Sequence, residues 1–284
     1  MAQISIPDQI RAELEAGAHL AISISGGKDS QAMLSALVRA HREHGWKGEL
    51  FAIHADLGRM EWTETPAFVE ELAARYGVKL VITRREKGDL VDRMQDRMTQ
   101  LEGTGKPFWP SSAQRYCTSD LKRDPIDKAL RRHHSYRIVV AIGIRADESP
   151  ARARKPMCAP RSRIETAQRR ATDWHPIFEW TEEDVWNELG WTLEQVNNKR
   201  AEYRLAPKGA GEEDVAFIGW NAHPAYIYGN ERLSCALCIM ASKNDLLNGA
   251  RRHPELFNTL LEMERTSGCT FTQKLSLAEL AEEI

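Results

Sequence analysis

The run Leu20-Ala-Ile-Ser-Ile24 is apolar and β-branched, stops abruptly at Ser25-Gly26-Gly27, and gives way to helical spacing at Met33, Leu34, Leu37 and Val38 up to Gly45. That order predicts strand, glycine turn, helix. Glu49-Leu-Phe-Ala-Ile-His54 repeats the strand pattern, residues 66–76 the helix, and Lys79-Leu-Val-Ile-Thr83 a third strand, with a further helix expected over 89–101. Strands alternating with helices need crossover connections, which are right-handed and build a parallel sheet. The expected fold class is therefore α/β: a doubly wound, mainly parallel sheet spanning about residues 20–177.

The flanking segments fill in this plan. Residues 7–17 read as an amphipathic helix with Ile10, Leu14 and Ala18 on one face, covering the first strand. Residues 102–116 are rich in Gly, Pro and Ser and read as loop; a helix follows over 119–132, then a buried strand, Tyr136-Arg-Ile-Val-Val-Ala-Ile142. Residues 150–173 hold Arg152, Arg154, Lys155, Arg161, Arg163, Arg169 and Arg170 with three prolines and little periodicity, which predicts a mobile basic lid. Thr181-Glu-Glu-Asp184 is a helix-start signature of the capping type. Short helices and loops follow, including 222–240, with a last helix over 255–266. The expected division is a nucleotide-binding α/β domain over 1–180 and a helical C-terminal region over 181–284.

A chain of 284 residues buries a full core without a partner. With 39 Lys plus Arg against 41 Asp plus Glu, the formal charge of -2 excludes a whole-protein basic field as the basis of nucleic-acid binding. The first residues carry no charged leader ahead of an apolar run, and no stretch reaches about 18 apolar residues, so a cytoplasmic location with no membrane contact is expected. Five cysteines, an odd number in a chain too long to need disulfide staples, point to buried, catalytic or metal-bound thiols.

Ser25-Gly26-Gly27-Lys28-Asp29-Ser30 lies where backbone N–H groups and the positive end of a helix can hold phosphate oxygens. The glycines let the backbone approach an anion, Ser25 and Ser30 can donate hydroxyl hydrogen bonds, Lys28 supplies a point charge, and Asp29 orients it or accepts from the nucleotide. A Walker loop is excluded, because its Gly-x4-Gly-Lys spacing is missing. A glycine turn that merely starts a helix explains the glycines but not four polar residues crowded into one turn.

This loop resembles the pyrophosphate loop (PP-loop) of the ATP pyrophosphatase, or adenine nucleotide alpha hydrolase-like, superfamily. More narrowly, the chain resembles the PAPS reductase family, including its DNA-phosphorothioation branch of ATP pyrophosphatases. Ala55-Asp56-Leu57-Gly58, with Glu61 and Glu64-Thr65, is similar to the family's Asp-Thr-Gly and Glu-Thr element. Tyr116-Cys117-Thr-Ser-Asp-Leu-Lys122 with Pro125 is similar to its Cys/Lys/Pro segment, and Gly143-Ile-Arg145 with Glu148-Ser149 to its next strand-end motif. The resemblance runs from about residue 20 to 239. It implies that Ser25, Gly26, Gly27, Lys28, Asp29, Ser30, Asp56, Lys122, Gly143 and Arg145 bind the nucleotide, with Lys28, Asp29, Asp56 and Arg145 acting in catalysis. Asp56 has a competing reading as a helix-capping residue on a solvated loop, and Lys122 as a surface cation.

Cys235-Ala-Leu-Cys238 can chelate one metal or two corners of an iron–sulfur cluster, and the spacing alone names no metal. The resemblance supplies Cys117 as a third ligand. Cluster-bearing APS reductases carry a cysteine pair there, whereas here Thr118 follows Cys117, so either Cys158 is the fourth ligand of a 4Fe–4S cluster or the site is a three-cysteine one with an open iron. Structural zinc and ordinary buried thiols are the competing readings. Cys269 is a candidate nucleophile, but the Glu-Cys-Gly-Leu-His tail of the family's reductases is absent. Trp174, Trp180, Trp186 and Trp191 read as core, and His223 as structural.

The function implied is ATP pyrophosphatase chemistry. ATP, with Mg²⁺, is cleaved at the α-phosphate to activate a substrate oxygen for replacement by sulfur, with a cysteine desulfurase or other sulfur donor and nucleic acid as candidate partners. The alternatives are reduction of PAPS or APS to sulfite, and nucleotide sensing without turnover.

Overall fold

Parallel strands buried on both faces are apolar throughout rather than alternating, and the central strands of this chain show it. A computed structural model describes residues 2–133, 136–206, 212–272 and 275–284, with backbone only for 212–214. In chain order the principal elements are α1 (Asp8–Glu15), β1 (His19–Ser23), α2 (Lys28–His44), β2 (Leu50–Asp56), α3 (Thr65–Tyr76), β3 (Lys79–Arg84) and α4 (Leu90–Gln100). There follow α5 (Tyr116–Thr118), a π-helical turn (Ser119–Arg123), α6 (Asp124–Arg132), β4 (Arg137–Ile142), α7 (Pro150–Ala153), β5 (Cys158–Pro160) and β6 (Arg170–Trp174). The chain closes with α8 (Glu182–Glu188), α9 (Leu193–Leu205), α10 (Lys243–Arg252), α11 (Pro254–Ser267) and α12 (Leu277–Ala281).

The six strands form one sheet in the order β3-β2-β1-β4-β6-β5. β1 pairs in parallel with β2 on one side and β4 on the other, and β4 with β6; only β5 runs antiparallel, against β6. The expected doubly wound α/β fold is the one observed, with helices flanking the sheet. Leu20, Ala21, Ile22, Phe51, Ile53, Val139, Val140 and Ala141 are buried in it, and α1 covers it with Ile10 and Leu14 as its spacing predicts. No helix among the described residues is long and apolar enough to cross a membrane.

The chain forms two compact units that are interleaved rather than consecutive. The first comprises Met1–His54, Glu64–Thr83 and Ile126–Pro224, and so reaches well past residue 180; the second comprises Ala55–Thr63, Arg84–Pro125 and Ala225–Ile284. The reason lies in the second unit's core, where Leu57, Trp62, Met94, Trp109, Leu121, Leu237 and Leu260 come from all three of its segments. Short excursions beyond β2 and β3 belong to it as fully as the C-terminal helices do.

The segment over 150–173 is no lid. It folds as α7 and the β5–β6 edge hairpin, and three of its arginines pair with carboxylates within the first unit. Arg161 and Arg163 both bond the fully buried Asp127 (2.8 and 2.9 Å), Arg161 also bonds Asp173 (2.7 Å), and Arg152 pairs with Glu148. A run of arginines with few apolar residues reads as a solvated loop when the buried carboxylate that neutralises two of them, Asp127, lies more than thirty residues upstream.

Candidate functional site

β1 and β4 are neighbours in the sheet but far apart in sequence, so the chain leaves them in opposite directions. In an open α/β sheet this switch point is where a crevice opens at the carboxyl ends of the strands. The 25–30 loop lies there. Gly26 takes φ 77°, a left-handed conformation costly for any residue with a Cβ. Gly27 is the N-cap of α2 and offers no side-chain bond to the helix's first N–H groups, which leaves that helix end open to an anion.

The loop is held by its own serines. The Ser25 N–H donates to Ser30 Oγ (3.1 Å), and the Ser30 hydroxyl donates to the Gly27 carbonyl (2.9 Å). Lys28 is only 3% exposed, and its Nζ stands 3.5 Å from Asp29 Oδ2 and 3.5 Å from Glu182 Oε1. Arg145, 4% exposed, donates from Nε to Asp29 Oδ1 (2.5 Å) and from its guanidinium to Asp147 (2.9 Å) and the Trp180 carbonyl (3.4 Å). Burial alone would raise the Asp29 carboxyl, but Lys28 and Arg145 outweigh it and hold Asp29 below the usual carboxylate range. Gly143 follows the end of β4 so closely against α2 that a Cβ there would meet the backbone of Asp29 and Ser30 at 3.3 Å. Thus the loop, Gly143 and Arg145 form one network, with Glu182 and Asp147 as members that the sequence reading missed. Glu182 lies in the helix-start signature that was read only as a cap.

Asp56 is placed at the end of β2, and both of its oxygens are engaged: Oδ1 accepts from the Gly58 N–H (2.7 Å) and Oδ2 from Arg84 Nε (2.6 Å). These bonds hold the turn after β2, and Asp56 does not cap the short helical turn Gly58–Met60, whose N-cap is Leu57. His223 is fully buried beside Thr65 (3.1 Å) and packs edge-on to Phe68, and burial lowers its pKa to about 4 despite the opposing pull of Glu64.

In the second unit, Cys235 and Cys238 sit on a loop pinned by backbone. The Ala236 N–H donates to the Met60 carbonyl (2.9 Å), Trp62 Nε1 donates to the Ser234 carbonyl (3.1 Å), and Gly249 of α10 lies so near that a Cβ there would fall 1.9 Å from the Ala236 oxygen. The Met240 N–H donates to Cys238 Sγ (3.4 Å), a bond that favours electron-rich sulfur. Burial raises the Cys235 thiol strongly; Cys238 and Cys117 add to the rise and Lys122 opposes it. Cys117, Lys122 and the Cys-x-x-Cys pair therefore share one neighbourhood, and Lys122 lies within a π-helical turn, of the kind often found at functional sites, that begins two residues after Cys117. Among the described residues the three sulfurs are not gathered within 4.8 Å of one another. Cys158 belongs to the first unit, on edge strand β5 opposite Trp174, and its charged neighbour is Glu13. Cys269 is anchored, its carbonyl accepting from Trp109 (2.9 Å) and its N–H donating to Ser267 Oγ (3.1 Å).

A model of the phosphoadenosine phosphosulfate reductase domain matches residues 19–197. An uncharacterized 37.8 kDa protein of Escherichia phage 186 is 27% identical over 290 residues, covering 86% of this chain and 74% of the phage protein. An uncharacterized protein of Methanocaldococcus jannaschii is 25% identical over 254 residues, covering 87% of this chain, which spans only 47% of that protein. Among solved structures, the phosphate complex of PAPS reductase from Candida auris overlaps with a TM-score of 0.41 at 14% identity, covering 66% of this chain and 88% of the reductase. The U34-tRNA thiolase NcsA of Methanococcus maripaludis, solved with its 4Fe–4S cluster, gives a TM-score of 0.42 at 13% identity, covering 93% and 76%.

Proposed function

The chain belongs to the phosphoadenosine phosphosulfate reductase domain family, and on that premise we propose that it is an ATP pyrophosphatase-type enzyme that activates a substrate oxygen for replacement by sulfur. The observation that carries this reading is the buried Lys28 in a loop whose backbone is already shaped for phosphate and whose helix end is open. The Ser25–Ser30 loop holds the phosphate chain of ATP. Lys28 and the first N–H groups of α2 stabilise the negative charge that builds on the departing pyrophosphate as the substrate oxygen attacks the α-phosphorus. Arg145 fixes Asp29, and Asp29 with Glu182 fixes the ammonium of Lys28 in place. Mg²⁺ arriving with the nucleotide would supply further charge neutralisation; the carboxylates at the loop, Asp29, Asp147 and Glu182, each pair with Lys28 or Arg145.

Cys117, Cys235 and Cys238 would hold a 4Fe–4S cluster, with the outer position of the fourth iron open. The cluster would handle the sulfur taken from a donor such as a cysteine desulfurase, and nucleic acid is the proposed acceptor class. A nucleophilic cysteine for sulfite release finds no support in Cys269, whose backbone is tied to Trp109 and Ser267. The test is pyrophosphate release from ATP and sulfite release from PAPS by the same anaerobically purified sample, with iron and sulfide counted. Pyrophosphate without sulfite supports the proposal, sulfite without pyrophosphate replaces it with the reductase reading, and tight nucleotide binding with neither product makes the chain a sensor.

A further inference from the structure

At the opposite end of the sheet from the phosphate loop, three side chains converge for which neither the fold nor the nucleotide chemistry has a use. His19 opens β1, Glu49 immediately precedes β2, and His133 immediately follows α6. One potential ligand atom from each lies within 4.8 Å of the other two. His133 Nε2 is 3.1 Å and His19 Nδ1 is 3.6 Å from the same carboxylate oxygen, Glu49 Oε2. The geometry points to a zinc-type divalent cation site formed by His19, Glu49 and His133.

Two arguments carry this. Zinc bound tetrahedrally at about 2.0–2.1 Å separates its ligand atoms by about 3.3 Å, and the two observed separations bracket that value. Without an ion the cluster is also incompletely satisfied. His133 can hydrogen-bond Glu49, but His19 Nδ1 is buried, finds no hydrogen-bond partner among the described residues, and at 3.6 Å is too far from Oε2 to share it. An ion between the three atoms removes that deficit.

The surroundings suit a fixed site. His133 is stacked on Phe51 (4.8 Å, 12°), His19 stands edge-on to His133 (5.1 Å), and the Leu20 N–H donates to the Glu49 carbonyl (2.8 Å). Lys79 approaches the other carboxylate oxygen, Oε1, at 3.4 Å and leaves Oε2 to the histidines. The ion would clamp the end of α6 to the starts of β1 and β2, with its fourth position left to water.

The test uses untagged full-length protein carrying Cys235→Ser and Cys238→Ser, stripped of metal and titrated with Co²⁺. One equivalent is expected to bind at micromolar concentration, with visible ligand-field bands, no sulfur-to-cobalt charge transfer, and displacement by Zn²⁺. His19→Asn and Glu49→Gln, each checked for folding by circular dichroism, are expected to weaken Co²⁺ at least about tenfold, and Zn²⁺ is expected to raise the melting temperature of the parent but of neither variant. No Co²⁺ bound by the Cys235→Ser, Cys238→Ser protein, or affinity unchanged in the folded variants, overturns the site.

Discussion

The phosphate loop and the cysteine loop are built on opposite principles. In the first unit, charge is buried and then matched: Lys28, Asp29, Arg145 and Glu182 form a chain of ion pairs around a backbone that two glycines and two serines set in shape. In the second unit, Cys235 lies against an apolar core with its thiol held protonated, and its loop is pinned by main-chain bonds to Met60 and by the pressure of Gly249. A buried charge network is costly to break at any one point, because the partner left behind is unpaired. A buried thiol is quiet until a metal displaces its proton. On the proposed function, the first region is already shaped for its ligand, whereas the second would change its charge state on taking up a metal.

The sharpest break of this contrast is Lys28→Ala. It is expected to lower pyrophosphate release by roughly 10²–10³, the effect of removing one preorganised charge or donor at a developing anion, while iron content stays at the parent level. Unchanged turnover would move the site away from the loop. Gly249→Ala acts on the other region alone. Its Cβ would overlap the Ala236 carbonyl, at a cost of roughly 1–3 kcal/mol for overpacking, and a urea midpoint lower than the parent's, with iron lost and ATP affinity kept, is the expected result.

A comparable effect separates the units by pH. His223 titrates near 4 in the folded chain against about 6.5 when unfolded, so its folded pKa is depressed. The neutral ring's contribution is complete above pH 6.5 and is lost as pH falls toward 4, by an amount of the order of 3 kcal/mol. His223→Leu should flatten the stability profile across that window; an unchanged slope would show that another group drives it. The smallest effect is expected for Arg84→Ala. This arginine is exposed, and its pair with Asp56 should be worth less than about 1 kcal/mol by denaturant midpoint.

Much of this was legible beforehand, for a reason that differs by element. The strands around Leu20–Ile24, the helix starts at Asp89 and Thr181, and the Ser25–Ser30 loop are local: spacing, capping residues and glycines act within one turn of chain, and the structure shows each of them. The basic segment over 150–173 was misread because Asp127, which neutralises Arg161 and Arg163, is more than thirty residues upstream. Glu182 was read as a cap and Asp147 was passed over, although Asp147 is only two residues from Arg145, since nothing in a one-dimensional pattern says which carboxylate will face a buried cation.

The sequence by itself determined the periodicities, the glycine turn and the set of chemically capable side chains, because those depend on neighbours a few residues apart. Only the tertiary structure decided that β4 returns beside β1 and brings Arg145 onto Asp29, that Cys117 lies near enough to Cys235 to influence its charge while Cys158 has Glu13 as its charged neighbour, and that His19, Glu49 and His133 converge. Those encounters depend on how the strands are ordered across the sheet and how the interleaved segments share a core, and strand order and core sharing are long-range choices that no local spacing encodes.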